Sequence, residues 1–285
     1  VEAEPLYKQA IIIEENFDYA NHSGALLNLA NLYNDQERYA EAQLLYKSYL
    51  TITEKALEPH HPDIAMVLNN LANLYAKQER YVDAEQLFKR AINIYNKAFG
   101  PNHPDTATNL GNLAVMYMEQ GRYKDAEPLY KKALLNKEKA LGSEHPNVAL
   151  TLNGLATLYK EQGHLAKAKP VYERALSIFE NTFNSYHPRI ALTLNFLASL
   201  SNSLGEKQES LDYIRRAVAI SKSRVIANTG SESGYFNEQK LNRGVFISHV
   251  KQTLEMQEPI NRKVLISEAF ESGQLAITAK ASAAI

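Results

Sequence analysis

Apolar positions in this chain recur at three- and four-residue steps, and the pattern itself repeats. Between residues 62 and 78, Ile64, Leu68, Leu71, Leu74 and Tyr75 fall on one stripe; between 81 and 99, Ala84, Leu87, Phe88, Ala91, Ile92 and Tyr95 do the same. That spacing belongs to an α-helix with one buried face. It predicts a pair of amphipathic helices, Pro62–Gln78 and Tyr81–Phe99, joined by a short turn at Gln78-Glu79-Arg80. The octet Leu68–Tyr75 returns as Leu26–Tyr33, Leu110–Tyr117, Leu152–Tyr159 and, worn, Leu194–Ser201. The tyrosines Tyr33, Tyr75, Tyr117 and Tyr159 stand 42 residues apart, as do His61-Pro62, His103-Pro104, His145-Pro146 and His187-Pro188. A fixed period over most of a chain means stacked repeats, each of which needs its neighbours to bury its apolar face.

The punctuation fits this reading. Gly121, Gly163 and Gly205 occupy the position of Glu79, where a helix that must turn left-handed favours glycine, and Gly100 and Gly142 are placed to end second helices. Each His-Pro restarts the pair, because proline is favoured at the first helical position, where its missing N–H costs nothing. Asp63 and Asp105 follow at the positive end of the helix dipole. The histidines occur one per repeat and do not converge, so they read as helix-start devices rather than metal ligands. Pro5, Pro128 and Pro170 share one position near a second-helix start.

Taken in order, residues 1–17 are a second helix without its partner, since Ala3–Lys8 matches Ala126–Lys131. Helix pairs follow over 18–58, 59–100, 101–142 and 143–184, with a degenerate fifth over 185–225. The step from Tyr7 to Tyr46 is 39 residues, so a tighter junction is expected near Tyr19-Ala20. A polar Gly/Ser-rich break at 227–234 opens the segment 226–285, which carries two further helical stretches near 235–256 and 261–283 that no longer fit the repeat. A start in mid-repeat and the lack of an initiator methionine suggest a piece of a longer protein.

The pattern Leu68…Leu71-Ala72…Tyr75…Ala84…Phe88…Ala91 resembles the tetratricopeptide repeat. The longer period, the Leu-Asn-Asn-Leu-Ala and Tyr-x-x-Ala-Glu motifs, and Leu141-Gly142-Ser143-Glu144-His145-Pro146 resemble its kinesin-light-chain type. The resemblance covers residues 1–223. It implies an all-α fold, a right-handed superhelical solenoid of 42-residue helix pairs with two additional C-terminal helices, and a concave groove lined by the first helices. The tail motif Ser267–Ala276 resembles the helical segment that precedes caspase-like CHAT domains. That resemblance implies an alternative function: the regulatory arm of a larger peptidase.

Composition narrows the chemistry. A formal net charge of −1 argues against a nucleic-acid partner, which would demand a basic stripe. No apolar run is long enough to span a membrane, no signal-peptide layout opens the chain, and a cytoplasmic location is expected. With no cysteine there is neither a thiolate metal site nor a cysteine nucleophile. Carboxylates are scattered over helix faces, and no phosphate loop or Ser/His/Asp set is discernible. A non-enzymatic protein-binding scaffold is therefore expected, with no cofactor and no metal.

If packing claims the leucines, alanines and tyrosines, the first helices leave a polar stripe facing the groove. It holds Asn31, Asn69, Asn73, Lys77, Asn153, Lys160 and Asn195, with Asn70 and Asn112 on its edge. An asparagine amide offers both a donor and an acceptor, which suits the main chain of an extended peptide; in the resembled family, groove asparagines bind peptide backbone. The competing reading is that these amides bond across neighbouring helices and only stabilise stacking. Lys77 and Lys160 are offset by Asp35, Glu119 and Glu161, so the wall is mixed in charge. Self-association through the ends of the stack is a further expected contact. The tyrosines, 17 in all, recur at repeat spacing and read as core.

Overall fold

The computed structural model describes residues 3–14 and 23–227, and beyond them Val245, Ile247, Ser248, Val250, Glu268, Glu271 and Ser272. The described residues are all-helical, with no strand among them. They divide into two compact units, residues 1–142 and 143–285. The first unit holds α1 (Ala3–Glu14), α2 (Ser23–Asp35), α3 (Tyr39–Ala56), α4 (Pro62–Lys77), α5 (Tyr81–Phe99), α6 (Pro104–Glu119) and α7 (Tyr123–Leu141). The second holds α8 (Pro146–Glu161), α9 (Leu165–Thr182), α10 (Pro188–Ser203) and α11 (Lys207–Ala227). Within each unit consecutive helices pack as antiparallel pairs, α2 with α3, α4 with α5, α6 with α7, α8 with α9 and α10 with α11. Inside a unit, a pair then rests on the second helix of the pair before it, as α4 does on α3, α6 on α5 and α10 on α9. The expected junction near Tyr19-Ala20 lies outside the described residues. So does most of the two added C-terminal helices, whose seven described residues are helical.

The helix starts follow from the His-Pro dipeptide. His61, His103, His145 and His187 are N-caps in extended conformation, and the proline after each takes the first helical position. The next free donor, at the second helical position, is satisfied by the histidine ring. Nδ1 accepts from the backbone N–H of Asp63, Asp105, Asn147 and Arg189 at 3.2, 3.3, 3.0 and 3.2 Å. An imidazole nitrogen thus does the work usually given to a serine or aspartate oxygen.

The first helices end in a common left-handed turn. At α4, Glu79 N–H bonds to Ala76 O and Arg80 N–H to Tyr75 O at 2.9 Å each, the pair of bonds that defines a Schellman motif. Glycine takes this turn at Gly121, Gly163 and Gly205, with φ of 71°, 75° and 80°, while Glu37 and Glu79 adopt it at 61° and 60°. The motif brings the residue after the turn against the last helical turn, where Arg38, Arg80 and Arg122 lie 3.8, 3.9 and 4.0 Å from the ring centres of Tyr33, Tyr75 and Tyr117. Pro128 and Pro170 stand inside α7 and α9, a little past one turn from their starts. Each therefore removes one intrahelical donor.

The core is a set of repeated rows. Ala30, Ala72, Ala114, Ala156 and Ala198 on the first helices, and Ala42, Ala84, Ala126 and Ala168 on the second, are 0 % exposed and allow the helices to approach closely. In the worn fifth pair Ser210 takes the alanine place, and its hydroxyl donates 2.7 Å to Ala198 O, so the substitution leaves no buried orphan. A second row, Tyr46, Phe88, Tyr130 and Tyr172, supplies the largest fully or nearly buried side chains. Its single phenylalanine bears on function.

Candidate functional site

The candidate site is the polar stripe of the first helices, taken separately in each unit. In the first unit the stripe is a connected chain of amides. Asn112 Nδ2 donates to Asn69 Oδ1 at 2.9 Å, Asn69 Nδ2 to Asn70 Oδ1 at 3.4 Å, and Asn70 Nδ2 to Asn31 Oδ1 at 3.4 Å. The Tyr46 hydroxyl donates to the same Asn31 oxygen at 2.7 Å. α2, α4 and α6 are therefore laced across their exposed faces. Lys77 also reaches back a full repeat, donating to Asn34 Oδ1 at 3.2 Å with its ammonium 5.9 Å from the Tyr39 ring centre.

Asn73 stands apart. It is half-buried, makes no hydrogen bond among the described residues, and its polar atoms are open to solvent. The cause lies 15 residues on. Asn31 is met by the Tyr46 hydroxyl, and the equivalent Thr157 by that of Tyr172 at 2.8 Å. The residue opposite Asn73 is Phe88, 0 % exposed and without a hydroxyl. Asn73 thus keeps both donor and acceptor available. The phenylalanine in a row of tyrosines is visible in the sequence, and it is the signal that singles out this asparagine.

The second unit treats its asparagines differently. Asn153 is buried, only 7 % exposed, and its Nδ2 donates 2.8 Å to Thr193 Oγ1 on α10. Asn195 is part-buried, with an enclosed Oδ1 that has no partner. Lys160 Nζ is held 2.8 Å from Ser199 Oγ. Burial pushes the Tyr172 hydroxyl up to about 12, so this phenol stays a neutral hydrogen-bonding group on the wall. The nine stripe residues therefore form a laced set on α2, α4 and α6 (Asn31, Asn69, Asn70, Lys77, Asn112, with Asn73 open) and a separate, more enclosed set on α8 and α10 (Asn153, Lys160, Asn195).

A second surface in the first unit is a cleft of about 440 Å³ between α5 and α7, floored by Leu110, Leu113 and Tyr117 of α6. Its rim is spent on internal bonds. Arg122 spans Glu85 at 3.0 Å and Asp125 at 2.8 Å, and Lys89 meets Glu85 at 2.6 Å. Burial alone would raise the Glu85 carboxyl, but hydrogen bonds from Lys89, Arg122 and Tyr117 hold it at about 2. These groups lock one repeat to the next and leave little for a ligand. Among the described residues no cluster of metal-ligating side chains occurs, and no helix is long and apolar enough to cross a membrane.

The comparisons with known proteins agree with this architecture. The sequence model of the tetratricopeptide repeat matches residues 21–97, 63–134, 105–181 and 166–223, together well over half of the chain. Among solved structures, BtubC (BKLC) from P. vanneervenii is 22% identical with a TM-score of 0.66, the match covering 81% of this chain and 91% of that one. A putative kinesin light chain from Podosopora anserina, built of nearly identical TPR-like repeats, is 24% identical with a TM-score of 0.58, over 72% of this chain and 96% of that one. A single-substitution variant of the latter is 26% identical with a TM-score of 0.60, over 70% and 94%. No curated protein sequence matches. The repeats, their helix pairs and these likenesses converge: the chain belongs to the tetratricopeptide repeat family, and its fold is that of kinesin-light-chain-like repeat proteins.

Proposed function

We propose that the chain is a protein-binding scaffold that performs no chemistry of its own and takes an extended segment of a partner along the first-helix face of α2, α4 and α6. The observation that carries this reading is Asn73, a half-buried amide with no internal hydrogen bond beside Asn31, Asn69, Asn70 and Asn112, which are bonded to one another. The ladder of Asn31, Asn70, Asn69 and Asn112 holds the wall rigid, and a rigid wall lowers the ordering cost of binding. Asn73 then supplies one donor and one acceptor to a peptide main chain, largely independent of that peptide's side chains. Lys77 and Asn34 bound the same face. The cytoplasmic location expected from the sequence belongs to this reading.

Panning a displayed library of random peptides against the full chain tests it. Recovered peptides should lose roughly tenfold in affinity for Asn73→Ala, the effect of about 1.4 kcal/mol of hydrogen bonding, while the melting temperature stays within about 2 °C of wild type. Asn153→Ala should do the reverse. It removes the amide that donates to the buried Thr193 hydroxyl, which keeps only its bond to Arg189 O, and should lower the unfolding free energy by about 1 kcal/mol, leaving binding to the first unit unchanged. Equal affinity of the recovered peptides for wild type and Asn73→Ala would move the site elsewhere.

A second reading is favoured by the tail. Glu268 and Glu271, inside the motif that resembles the segment before a caspase-like domain, pair with Arg215 and Lys222 of α11 at 3.0 and 2.8 Å. That docking would couple the last repeat to a following catalytic domain. The absence of such a domain downstream in the native gene would dismiss it.

A further inference from the structure

His103 and His187 are built alike and charged differently. Both cap a first helix through Nδ1, and both stack on the aromatic residue four positions earlier: His103 on Phe99 with ring centres 4.3 Å apart, His187 on Phe183 at 3.7 Å and 10° between planes. The cap works only with Nδ1 unprotonated, since a protonated nitrogen cannot accept the N–H and places a cation at the positive end of the helix dipole. At His103 the Asp105 carboxylate lies 3.6 Å from Nδ1 and is placed to neutralise the imidazolium; Asp63 does the same at His61. At His187 that position is Arg189, and a second cation, Arg224 of α11, reaches over the loop to donate 3.2 Å to Tyr186 O. Among the described residues no carboxylate pairs with His187. Phe183 covers it from the end of α9, Arg224 faces it from α11, and Arg189 faces it from its own helix.

We infer that the start of α10 is a proton-sensitive joint: uptake of one proton by His187 uncaps the helix and leaves a cation with no carboxylate beside it, whereas at the start of α6 the Asp105 carboxylate lies close enough to offset such a charge. Burial first, and then Arg189 and Arg224, hold the His187 imidazole below its ordinary value, in line with this geometry. Because the folded form resists the proton, the cap contributes fully above the unfolded-state value of about 6.5 and is lost as pH falls through the lower folded value. The loss reaches the wall. Thr193, one turn into α10, bonds back to Arg189 O and accepts from Asn153, and Ser199 accepts from Lys160. Mild acid therefore loosens α10 from α8.

Amide hydrogen exchange on the full chain at about pH 7.5 and pH 5.5, on either side of the ordinary imidazole value, tests the joint. Protection factors corrected for intrinsic exchange should fall about five- to tenfold at Arg189, Ile190 and Ala191, the factor produced by losing one cap, and hold at Thr106 and Ala107 of α6. His187→Asn keeps a cap that cannot titrate and should abolish the response. Arg189→Asp, which copies the α6 arrangement, should blunt it, and Asp105→Asn should confer it on α6. An equal fall at α6 and α10 in the wild type, or a response that survives in His187→Asn, would overturn the inference. Because the readout is exchange and not ligand capture, it stands or falls separately from the binding reading.

Discussion

Replacing Phe88 with alanine is expected to lower the unfolding free energy by about 3–5 kcal/mol, the usual cost of emptying a fully buried phenylalanine site. Phe88 is 0 % exposed in the second helix of its pair, and the equivalent positions hold Tyr46, Tyr130, Tyr172 and Ile214, all nearly or fully buried. Stability in a stack is a sum over repeats and their interfaces. The loss should therefore appear in urea denaturation, followed by circular dichroism, as an earlier transition. Phe88→Tyr is the informative companion. It restores the hydroxyl that Tyr46 presents to Asn31 and Tyr172 to Thr157, and it should engage Asn73 with little change in stability. If Asn73 is the open amide of the wall, Phe88→Tyr should weaken selected peptides about as much as Asn73→Ala does. A tyrosine variant that binds as the wild type does would separate Asn73 from the ligand.

The fold was legible because its determinants are local and repeated. Helix period, the His-Pro start and the Gly or Glu turn each involve residues within a few positions of one another, and four or five copies averaged out the noise at any one of them. Leu68, Leu71, Ala72 and Tyr75 are buried as the stripe required. The disposition of the polar stripe was less legible for a geometric reason. Its hydrogen bonds join residues about one repeat apart, as with Asn112 and Asn69 or Asn153 and Thr193, so an amide's fate depends on the local tilt between two helices. Periodicity alone cannot assign that tilt. It grouped Asn153 with Asn69 and Asn73, whereas Asn153 is buried and bonded, Asn69 is laced, and Asn73 is open. The chemistry opposite Asn31 and Asn73 was nonetheless written in the sequence, in the Tyr, Phe, Tyr, Tyr row of the second helices.

Reversing one charge at the last joint should be nearly as informative as emptying the core. In the first unit, the acidic residue near the start of a second helix meets the arginine that follows the next turn: Glu4 with Arg38 and Glu85 with Arg122, each arginine also holding Glu41 or Asp125 of its own helix. Between α9 and α11 the polarity is inverted. Lys169 lies where Glu85 would be and bonds both Glu206, in the arginine place, and Glu209, in the Asp125 place, at 2.8 and 2.6 Å. Glu209 also accepts from Ser201, which replaces the tyrosine that an arginine would cover. The side chain of Lys169 is only 24% exposed, so Lys169→Glu would gather three carboxylates at a partly buried joint. Lost attraction plus new repulsion should cost about 1–2 kcal/mol at low salt and less as salt screens it. Adding Glu206→Arg rebuilds the first unit's arrangement, with the guanidinium between two carboxylates, and should recover most of the loss. The double variant, measured against both single variants by denaturant unfolding, gives the coupling directly. Recovery would show that this joint needs one cation between two anions and is indifferent to which helix supplies it. No recovery would mean that the lysine's aliphatic stem matters more than its charge.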